Sequence, residues 1–533
     1  MSGVSHLPFA LPEVLTGLED LLRALAADAT ICLVLVALAV RVIRARGLHW
    51  SWGLAVLAIV VLVHGALGRL APVLALATLV ATLRARRSHR ERLDLGADLG
   101  RAAAQLLSPL ELIGVAANAF ARRRREQGRD GGWFRGDQLV LGTNRMGALV
   151  SIPFGGVRGG SHTLLVGATG SGKTVTATWM TVRAIERGMG AVVVDPKGDR
   201  AMRDAVALAA RSAGREFVEW TPSGPNVYNP LARGSETEIA DKLLGGERFT
   251  EPHYLRQSQR FIGHVVRALR GAGLQVSLRA VVDALDATRL ELLSRELAEP
   301  EADATQRYLD SLTTRQLADL AGVRDRLAIL VESDVGRWLD PDSSSAPALD
   351  LLAAIRRRSV VYFALASDSR PLLTQMLGAA IVQDLTTAVA SLQSDPSPTV
   401  VVIDEFSSLA AEHVVRLFAR ARSAGVSLIL GTQELADLRV AGRELLLEQV
   451  IGNLSVLIAH RQVVPSSAEL IAMLAGTRGA WKTSQSAARL TRTRGREYAL
   501  EPGEVMNLAT GTAATIVLGA GPGAQITRVF SVT

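Results

Sequence analysis

Short apolar runs rich in branched residues recur along the chain beyond Trp133, and amphipathic helical patterns separate most of them. This alternation is typical of a parallel sheet covered by helices on both faces. We therefore predict an α/β, doubly wound fold. The predicted strands are DQLVLG (137–142), ALVSIPF (148–154), HTLLVG (162–167), GAVVVD (190–195), REFVEW (215–220), SVVYFAL (359–365), TVVVID (399–404), VSLILGT (426–432) and LSVLIAH (454–460).

The pattern changes between residues 232 and 350, where strand signals vanish and helical periodicity dominates. FIGHVVRALRGAG (261–273) is one example of this periodicity. We predict an inserted all-α domain over 232–350, flanked by the two parts of a nucleotide-binding domain at 133–231 and 351–533.

The first 85 residues carry most of the hydrophobic excess of the chain. Ala24–Ile43 and Trp52–Leu83 are each long enough to cross a bilayer, which needs about 20 apolar residues per helix. We predict an N-terminal transmembrane helical segment within 1–92 and a basic linker at 93–132. Buried core helices are the alternative interpretation of the two runs.

Charge and composition limit the classes of partner. The net charge is +8, but residues 232–350 hold 15 basic and 20 acidic side chains, so the remainder carries about +13. A polyanion or an anionic membrane therefore suits the chain outside the helical insert. The single cysteine excludes a disulfide framework and a cysteine-based metal site, and 4% aromatic residues argue against base stacking as the main binding mode.

A phosphate-binding loop follows the HTLLVG run. GATGSGKT matches the pattern G-x-x-x-x-G-K-[ST], in which backbone N–H groups surround the phosphates of a nucleoside triphosphate. Lys173 would reach the β and γ oxygens of ATP, and the Thr174 hydroxyl would bind Mg²⁺. The predicted loop comprises Gly167, Ala168, Thr169, Gly170, Ser171, Gly172, Lys173 and Thr174.

Two acidic residues end the buried run TVVVIDEF. Asp404 is placed to hold Mg²⁺, directly or through water. Glu405 directly after it is placed to polarise an attacking water, which makes it the predicted catalytic base. A solvated acidic turn is the alternative interpretation of this pair.

Five further residues are candidates for the same site. Gln433 ends the run LILGTQ and is expected to face the γ-phosphate. Arg422 is a candidate for an arginine that completes a neighbouring subunit's site, with Arg420 and Arg461 as rivals. Lys197, in the turn DPKGD, would contact nucleotide or DNA, or serve the turn alone.

Basic clusters flank the apolar runs and bear on membrane topology. An ATP site faces the cytoplasm, so residues 84 onward are expected there. The first cluster then requires either a tight hairpin at 52–83 or basic residues outside. The clusters are Arg41, Arg44, Arg46 and Arg84, Arg86, Arg87, Arg90, Arg92.

These motifs in this order resemble the TraG/TraD-type coupling proteins of type IV secretion and conjugation, within the FtsK/HerA class of RecA-like motors. HTLLVGATGSGKT, VVVDPKGD, TVVVIDEFSSL, RSAGVSLILGTQ and REYALEPGEVMNLATGTAATIV carry the resemblance over about 133–533. It implies a RecA-like P-loop motor, an inserted all-α domain and an N-terminal membrane anchor in the plasma membrane. It also implies a homo-hexamer, DNA as substrate, and secretion-channel components and a relaxase as partners.

Three functions remain open on these residues. The first is a membrane-anchored, ATP-driven DNA translocase that couples DNA to a secretion channel. Within the same class, an FtsK-like translocase or a protein-secretion motor is the alternative. A non-hydrolysing, ATP-binding membrane scaffold is the alternative of another class, and Glu405 beside Asp404 argues against it.

Overall fold

The computed structural model describes residues 132–532 except 146, 157–158, 247–248, 250, 410, 440–444, 487–488 and 522, and also Thr78 and Leu79. The predicted transmembrane segment and basic linker therefore lie almost entirely outside the described residues. The chain divides into two compact units. One comprises Arg124–Arg145, Leu149–Arg478 and Tyr498–Thr533, and the other comprises Met1–Arg123, Met146–Ala148 and Gly479–Glu497.

The strands follow the apolar runs closely, and further short strands lie between them. They are β1 (Phe134–Arg135), β2 (Gln138–Asn144), β3 (Leu149–Pro153), β4 (Gly155–Gly156), β5 (Gly159–Gly160), β6 (His162–Val166), β7 (Gly190–Asp195), β8 (Phe217–Trp220), β9 (Val227–Tyr228), β10 (Ala348–Leu349), β11 (Val360–Ala364), β12 (Thr399–Ile403), β13 (Val426–Thr432), β14 (Val456–Ala459), β15 (Thr477–Ser486), β16 (Arg489–Tyr498), β17 (Thr512–Val517) and β18 (Gln525–Val529).

The helices occupy the segments between strands. They are α1 (Lys173–Glu186), α2 (Arg200–Ser212), α3 (Glu236–Leu244), α4 (Pro252–Gly271), α5 (Leu278–Ala284), α6 (Ala287–Ser294), α7 (Glu299–Asp310), α8 (Thr314–Glu332), α9 (Leu351–Arg356), α10 (Pro371–Ala390), α11 (Ala411–Ala421), α12 (Leu446–Asn453), α13 (Pro465–Ala475) and α14 (Pro502–Met506).

Twelve strands form one sheet with the order β1-β2-β18-β17-β14-β6-β13-β12-β7-β11-β8, and β3 pairs with β2. The seven strands from β14 to β8 are parallel. The other five extend the sheet by antiparallel pairing. The predicted α/β fold is confirmed for the parallel part, whereas the antiparallel extension was not predicted.

Alternate residues of the parallel strands pack into two hydrophobic cores, one on each face of the sheet. Leu164 and Val194 lie in one core, and Leu165 and Val193 lie in the other. Both faces are covered because successive side chains of a strand point in opposite directions. This is why these runs are continuously apolar and do not alternate with polar residues.

Six helices, α3 to α8, fill the segment 236–332 between β8 and the return of the chain to the sheet. The parallel pair β9–β10 brings the two ends of this segment together, with Val227 opposite Ala348. Capping boxes at Ser235 and Thr313 satisfy backbone donors at the first turns of α3 and α8. The helices expected from periodicity in this segment are therefore stabilised locally by caps at their first turns.

Among the described residues, one helix, α10, is long and apolar enough to cross a membrane. Its mean hydropathy reaches 1.2, and 72% of its most apolar stretch is buried inside the protein. A core helix of a soluble domain has the same properties, and α10 contributes Ile381, Leu385 and Val389 to a core. It therefore bears no relation to the predicted N-terminal anchor.

Candidate nucleotide site

The P-loop connects β6 to α1 at the carboxyl edge of the parallel sheet. Gly170 and Gly172 have φ of +75° and +108°, a region that favours glycine. A Cβ at Gly167 would lie 2.6 Å from both the Cβ of His460 and the Oγ of Ser171. No side chain caps the first turn of α1, so its backbone N–H groups face the loop. This arrangement suits a phosphate group.

Asp404 lies at the end of β12, two strands from the P-loop strand. Its Oδ1 lies 3.6 Å from Nζ of Lys173 and accepts a 3.0 Å hydrogen bond from the backbone N–H of Glu405. Burial raises the pKa of Asp404, although Lys173 opposes the shift. A Cβ on neighbouring Gly431 would lie 2.2 Å from the same oxygen, so the glycine makes room for the carboxylate.

Glu405 is the centre of the polar contacts at this edge. Its Oε1 accepts hydrogen bonds from Lys173 at 3.1 Å, from Lys197 at 2.9 Å and from Gln433 at 3.1 Å. Its backbone is left-handed, with φ of +48°. Burial acts to raise the pKa of Glu405, but the two ammonium groups outweigh it and lower the pKa below its ordinary value.

Strand order explains why these side chains meet although they are far apart in sequence. β13 lies between β6 and β12, so Gln433 emerges between the P-loop and the acidic pair. Nε2 of Gln433 also lies 3.1 Å from Oε2 of Glu405. The structure thus brings four predicted residues together: Lys173, Asp404, Glu405 and Gln433.

Lys197 comes to the same site from the end of β7. The Asp195 carboxylate accepts hydrogen bonds from the N–H groups of Lys197 and Gly198, both at 2.9 Å, and this contact shapes the turn. The ammonium group of Lys197 then reaches Glu405. The turn contacts are therefore present together with a contact to Glu405, and contact of Lys197 with nucleotide or DNA stays a prediction.

His460 is a site residue that the sequence analysis missed. It lies directly after β14, fully buried beneath the P-loop, with Nε2 2.9 Å from Oγ1 of Thr176. Burial lowers its pKa to about 4, which keeps the ring neutral. The carbonyl of Arg461, the next residue, accepts a 3.0 Å hydrogen bond from the N–H of Ala168. The end of β14 therefore supports the loop. A polar residue closing the run LSVLIAH was the available signal.

Three predicted residues do not join this cluster. Arg422 lies between α11 and β13 at the opposite, amino edge of the sheet, where its Nη2 is 3.4 Å from Oγ of Ser455. Arg420 is exposed in the last turn of α11. Thr174 follows Lys173 on the first turn of α1, at the P-loop. A role for Arg422 in another subunit's site stays a prediction.

These residues fit a magnesium nucleotide chemically. An ammonium group and an uncapped helix N-terminus suit phosphate oxygens, and Asp404 with Thr174 suits part of a Mg²⁺ shell. Among the described residues, no three His, Cys, Asp or Glu side chains converge on one point. The remaining Mg²⁺ ligands would come from phosphates and waters, as Mg²⁺ commonly requires.

Two family models match the chain. Residues 147–203 match the DNA-binding domain of the type IV secretion-system coupling protein. Residues 398–510 match the TraM recognition site of TraD and TraG. The first range contains the P-loop and Lys197, and the second contains Asp404, Glu405, Gln433 and β15–β16.

Known proteins agree with the family matches. The type 4 coupling protein DotL of Legionella pneumophila is 24% identical over 354 residues, which cover 53% of this chain and 45% of DotL. The chain therefore spans less than half of that relative. These matches confirm the resemblance to the type IV secretion coupling proteins.

Solved structures support the fold. The unbound conjugative coupling protein TrwB lacking its first 70 residues has a TM-score of 0.55 and 17% identity, over 76% of this chain and 92% of that one. TrwB in complex with ADP and Mg²⁺ has a TM-score of 0.54 and 17% identity, over 70% and 86%. At this identity the likeness shows the fold alone, which is the α/β fold of TrwB.

Proposed function

We propose that this chain, a relative of the TraG/TraD-type coupling proteins, is an ATPase that moves DNA towards a type IV secretion channel. ATP with Mg²⁺ is the proposed cofactor pair. TrwB structures described as complexes with ADP and Mg²⁺ and with non-hydrolysable nucleotide analogues support this proposal.

The convergence of Lys173, Asp404, Glu405 and Gln433 is the observation that carries the proposal. A scaffold that only bound ATP would need the P-loop and a metal ligand. The second carboxylate, 3.1 Å from the P-loop lysine, adds a group that can orient and polarise water. The site therefore favours hydrolysis over the non-hydrolysing alternative.

Each residue has a role that follows from its position. Lys173 and the loop from Gly167 to Gly172 would bind the phosphates, and Thr174 with Asp404 would hold Mg²⁺. Glu405 would position the attacking water as a general base. Gln433 would sense the γ-phosphate, because it bridges from β13 to Glu405. Bound MgATP supplies the phosphoryl group that is transferred to water.

Charge supports DNA as the polymer. Residues 232–350 are net acidic, and the rest of the chain carries about +13. The hairpin of β15 and β16 holds six basic residues and one acidic residue between 477 and 498. Sequence-independent binding rests mainly on phosphate neutralisation by such residues. One matching family model is described as a DNA-binding domain.

Membrane anchoring and assembly complete the proposal. The apolar runs within 1–92 would anchor the chain in the plasma membrane with residues 84 onward in the cytoplasm. A homo-hexamer would let Arg422 act on the site of the neighbouring subunit. Secretion-channel components and a relaxase are the proposed partners, from family resemblance.

The test is ATP turnover by the full chain in lipid nanodiscs, with and without single- and double-stranded DNA. We expect turnover that DNA stimulates, and we expect Glu405→Gln to abolish it. Turnover in the wild type that ignores DNA at every protein concentration would favour the protein-secretion motor. A wild type that binds ATP without turnover would instead support the scaffold.

A further inference from the structure

Lysine is rare in this chain, and its distribution is informative. Of 59 basic residues, only four are lysine: Lys173, Lys197, Lys242 and Lys482. Two of these four lie on one oxygen of Glu405. Arginine is the default cation here, so a second lysine at the same carboxylate marks a position suited to a compact point charge.

The turn that carries Lys197 is held firmly. The Asp195 carboxylate accepts N–H groups from the turn and also the hydroxyl of Tyr362 at 2.6 Å. Gly198 has φ of +74°, which completes the turn. The backbone of Lys197 is therefore fixed, while its side chain, 46% exposed, reaches across to a largely buried carboxylate.

Three donors compete for one oxygen of the proposed base. Each carboxylate oxygen offers about two lone-pair sites, so the three donors on Oε1 exceed what that oxygen can fully satisfy. Bound phosphate would draw Lys173 away, because the P-loop lysine binds the β and γ oxygens. The contact from Lys197, the shortest of the three at 2.9 Å, would remain.

We propose that Lys197 is a positioning residue that occupies Oε1 of Glu405 and restrains ATP hydrolysis. The inference rests on the proposed ATPase function and deepens it. A water that Glu405 is to activate must compete with the ammonium group of Lys197, whose backbone is held by an independent turn. Turnover then requires the ion pair between Lys197 and Glu405 to open.

A second arrangement would give the opposite kinetic result. Lys197 could leave Glu405 for the γ-phosphate and stabilise the transition state there. Its loss would then slow hydrolysis. The direction of the change in kcat therefore separates a restraining residue from a catalytic one.

The kinetic test compares Lys197→Met with the wild type in nanodiscs without DNA. We expect kcat to rise about three- to tenfold, as for the loss of one hydrogen bond, with KM for ATP within about twofold. The matched control is Arg200→Met, which removes a charge three residues along the chain from an exposed position. An unchanged or lower kcat in Lys197→Met would overturn the proposal.

A second measurement uses the nucleotide-free protein. Competitive acetylation followed by mass spectrometry reports the reactivity of Lys197, with Lys482 as the internal reference. We expect Lys197 to react at least about threefold faster in Glu405→Gln than in the wild type, because the ion pair no longer protects the amine. Equal rates would show that the pair does not form and would overturn the proposal.

The two proposals fail differently. If the wild type has no turnover but labelling shows the ion pair, the ATPase function fails. If the wild type hydrolyses ATP and Lys197→Met gives no rise in kcat, only the role of Lys197 fails.

Discussion

Two regions of this protein bury a lysine against a carboxylate, and they do so in opposite ways. In the helical region, Nζ of Lys242 donates to the carbonyls of Pro230 and Arg233 and to Asp384, at 2.8, 2.7 and 2.6 Å. Tyr228 donates to the second oxygen of Asp384 at 2.8 Å. Every donor of this ammonium group has a partner, and its side chain is fully buried.

In the nucleotide site, Lys173 contacts carboxylates that also accept other donors. Nζ of Lys173 lies 3.1 Å from Oε1 of Glu405 and 3.6 Å from Oδ1 of Asp404, and both oxygens also accept other donors. Such a pair can exchange its partners for a phosphate. A lysine whose donors all have partners, such as Lys242, indicates a structural ion pair. A carboxylate that accepts more donors than it can satisfy, such as Glu405, indicates a site for a ligand.

The largest effect should come from breaking the structural pair. Lys242→Met leaves Asp384 buried without its cation, which should cost about 3–5 kcal/mol of unfolding free energy. Denaturant unfolding of the purified chain measures this loss. Replacing both partners, as Lys242→Met with Asp384→Leu, should restore most of it. A single variant as stable as the wild type would contradict the comparison.

Breaking the site should affect activity and leave stability nearly unchanged. Glu405→Gln keeps the size of the side chain but removes the base, so turnover should fall about 100-fold or more. The melting temperature should stay within about 2 °C, since the carboxylate lies in a cluster with surplus donors. A large loss of stability with modest loss of turnover would show that Glu405 serves folding.

The space beside Asp404 offers a sharper test of the metal role. Gly431→Ala places a Cβ 2.2 Å from Oδ1 of Asp404, so the carboxylate must move. We expect the Mg²⁺ concentration for half-maximal turnover to rise about tenfold. Gly452→Ala on α12 is the matched control, because its Cβ would meet nothing within 4 Å. An equal Mg²⁺ dependence in both variants would show that Asp404 does not bind the metal.

The smallest effect concerns the basic hairpin. Replacing Arg492, Arg494 and Arg496 of β16 by glutamine should weaken DNA binding and lower the slope of log affinity against log salt by about 2 to 3. Fluorescence anisotropy at several salt concentrations measures both. Turnover without DNA should be unchanged. An unaltered salt slope would show that DNA does not contact this hairpin.

Local pattern was enough for most of the parallel sheet and its edge. β6, β12 and β13 are continuously apolar, and their strand ends carry Gly167, Asp404 and Gln433. The strand order places these three strand ends side by side, and the resemblance to a known family had predicted that their residues form one site.

Other features depend on contacts that no local pattern encodes. The pairing of β18 with β2, the ion pair of Lys197 with Glu405, and the contact of His460 with Thr176 join segments far apart in sequence. Lys197 looked equally suited to a plain turn. In the sequence, His460 is only the last residue of a predicted strand. Its contact could not be predicted, because its partner Thr176 lies on α1, 284 residues earlier.

The most direct test of the central claim is ATP-driven movement along DNA. The full chain in nanodiscs would be added to a duplex that carries a labelled third strand at one end, and release of that strand would be followed. We predict release that needs ATP and Mg²⁺ and is lost in Glu405→Gln. ATP hydrolysis by the wild type without any release, on single- or double-stranded tracks, would contradict the claim that this site moves DNA.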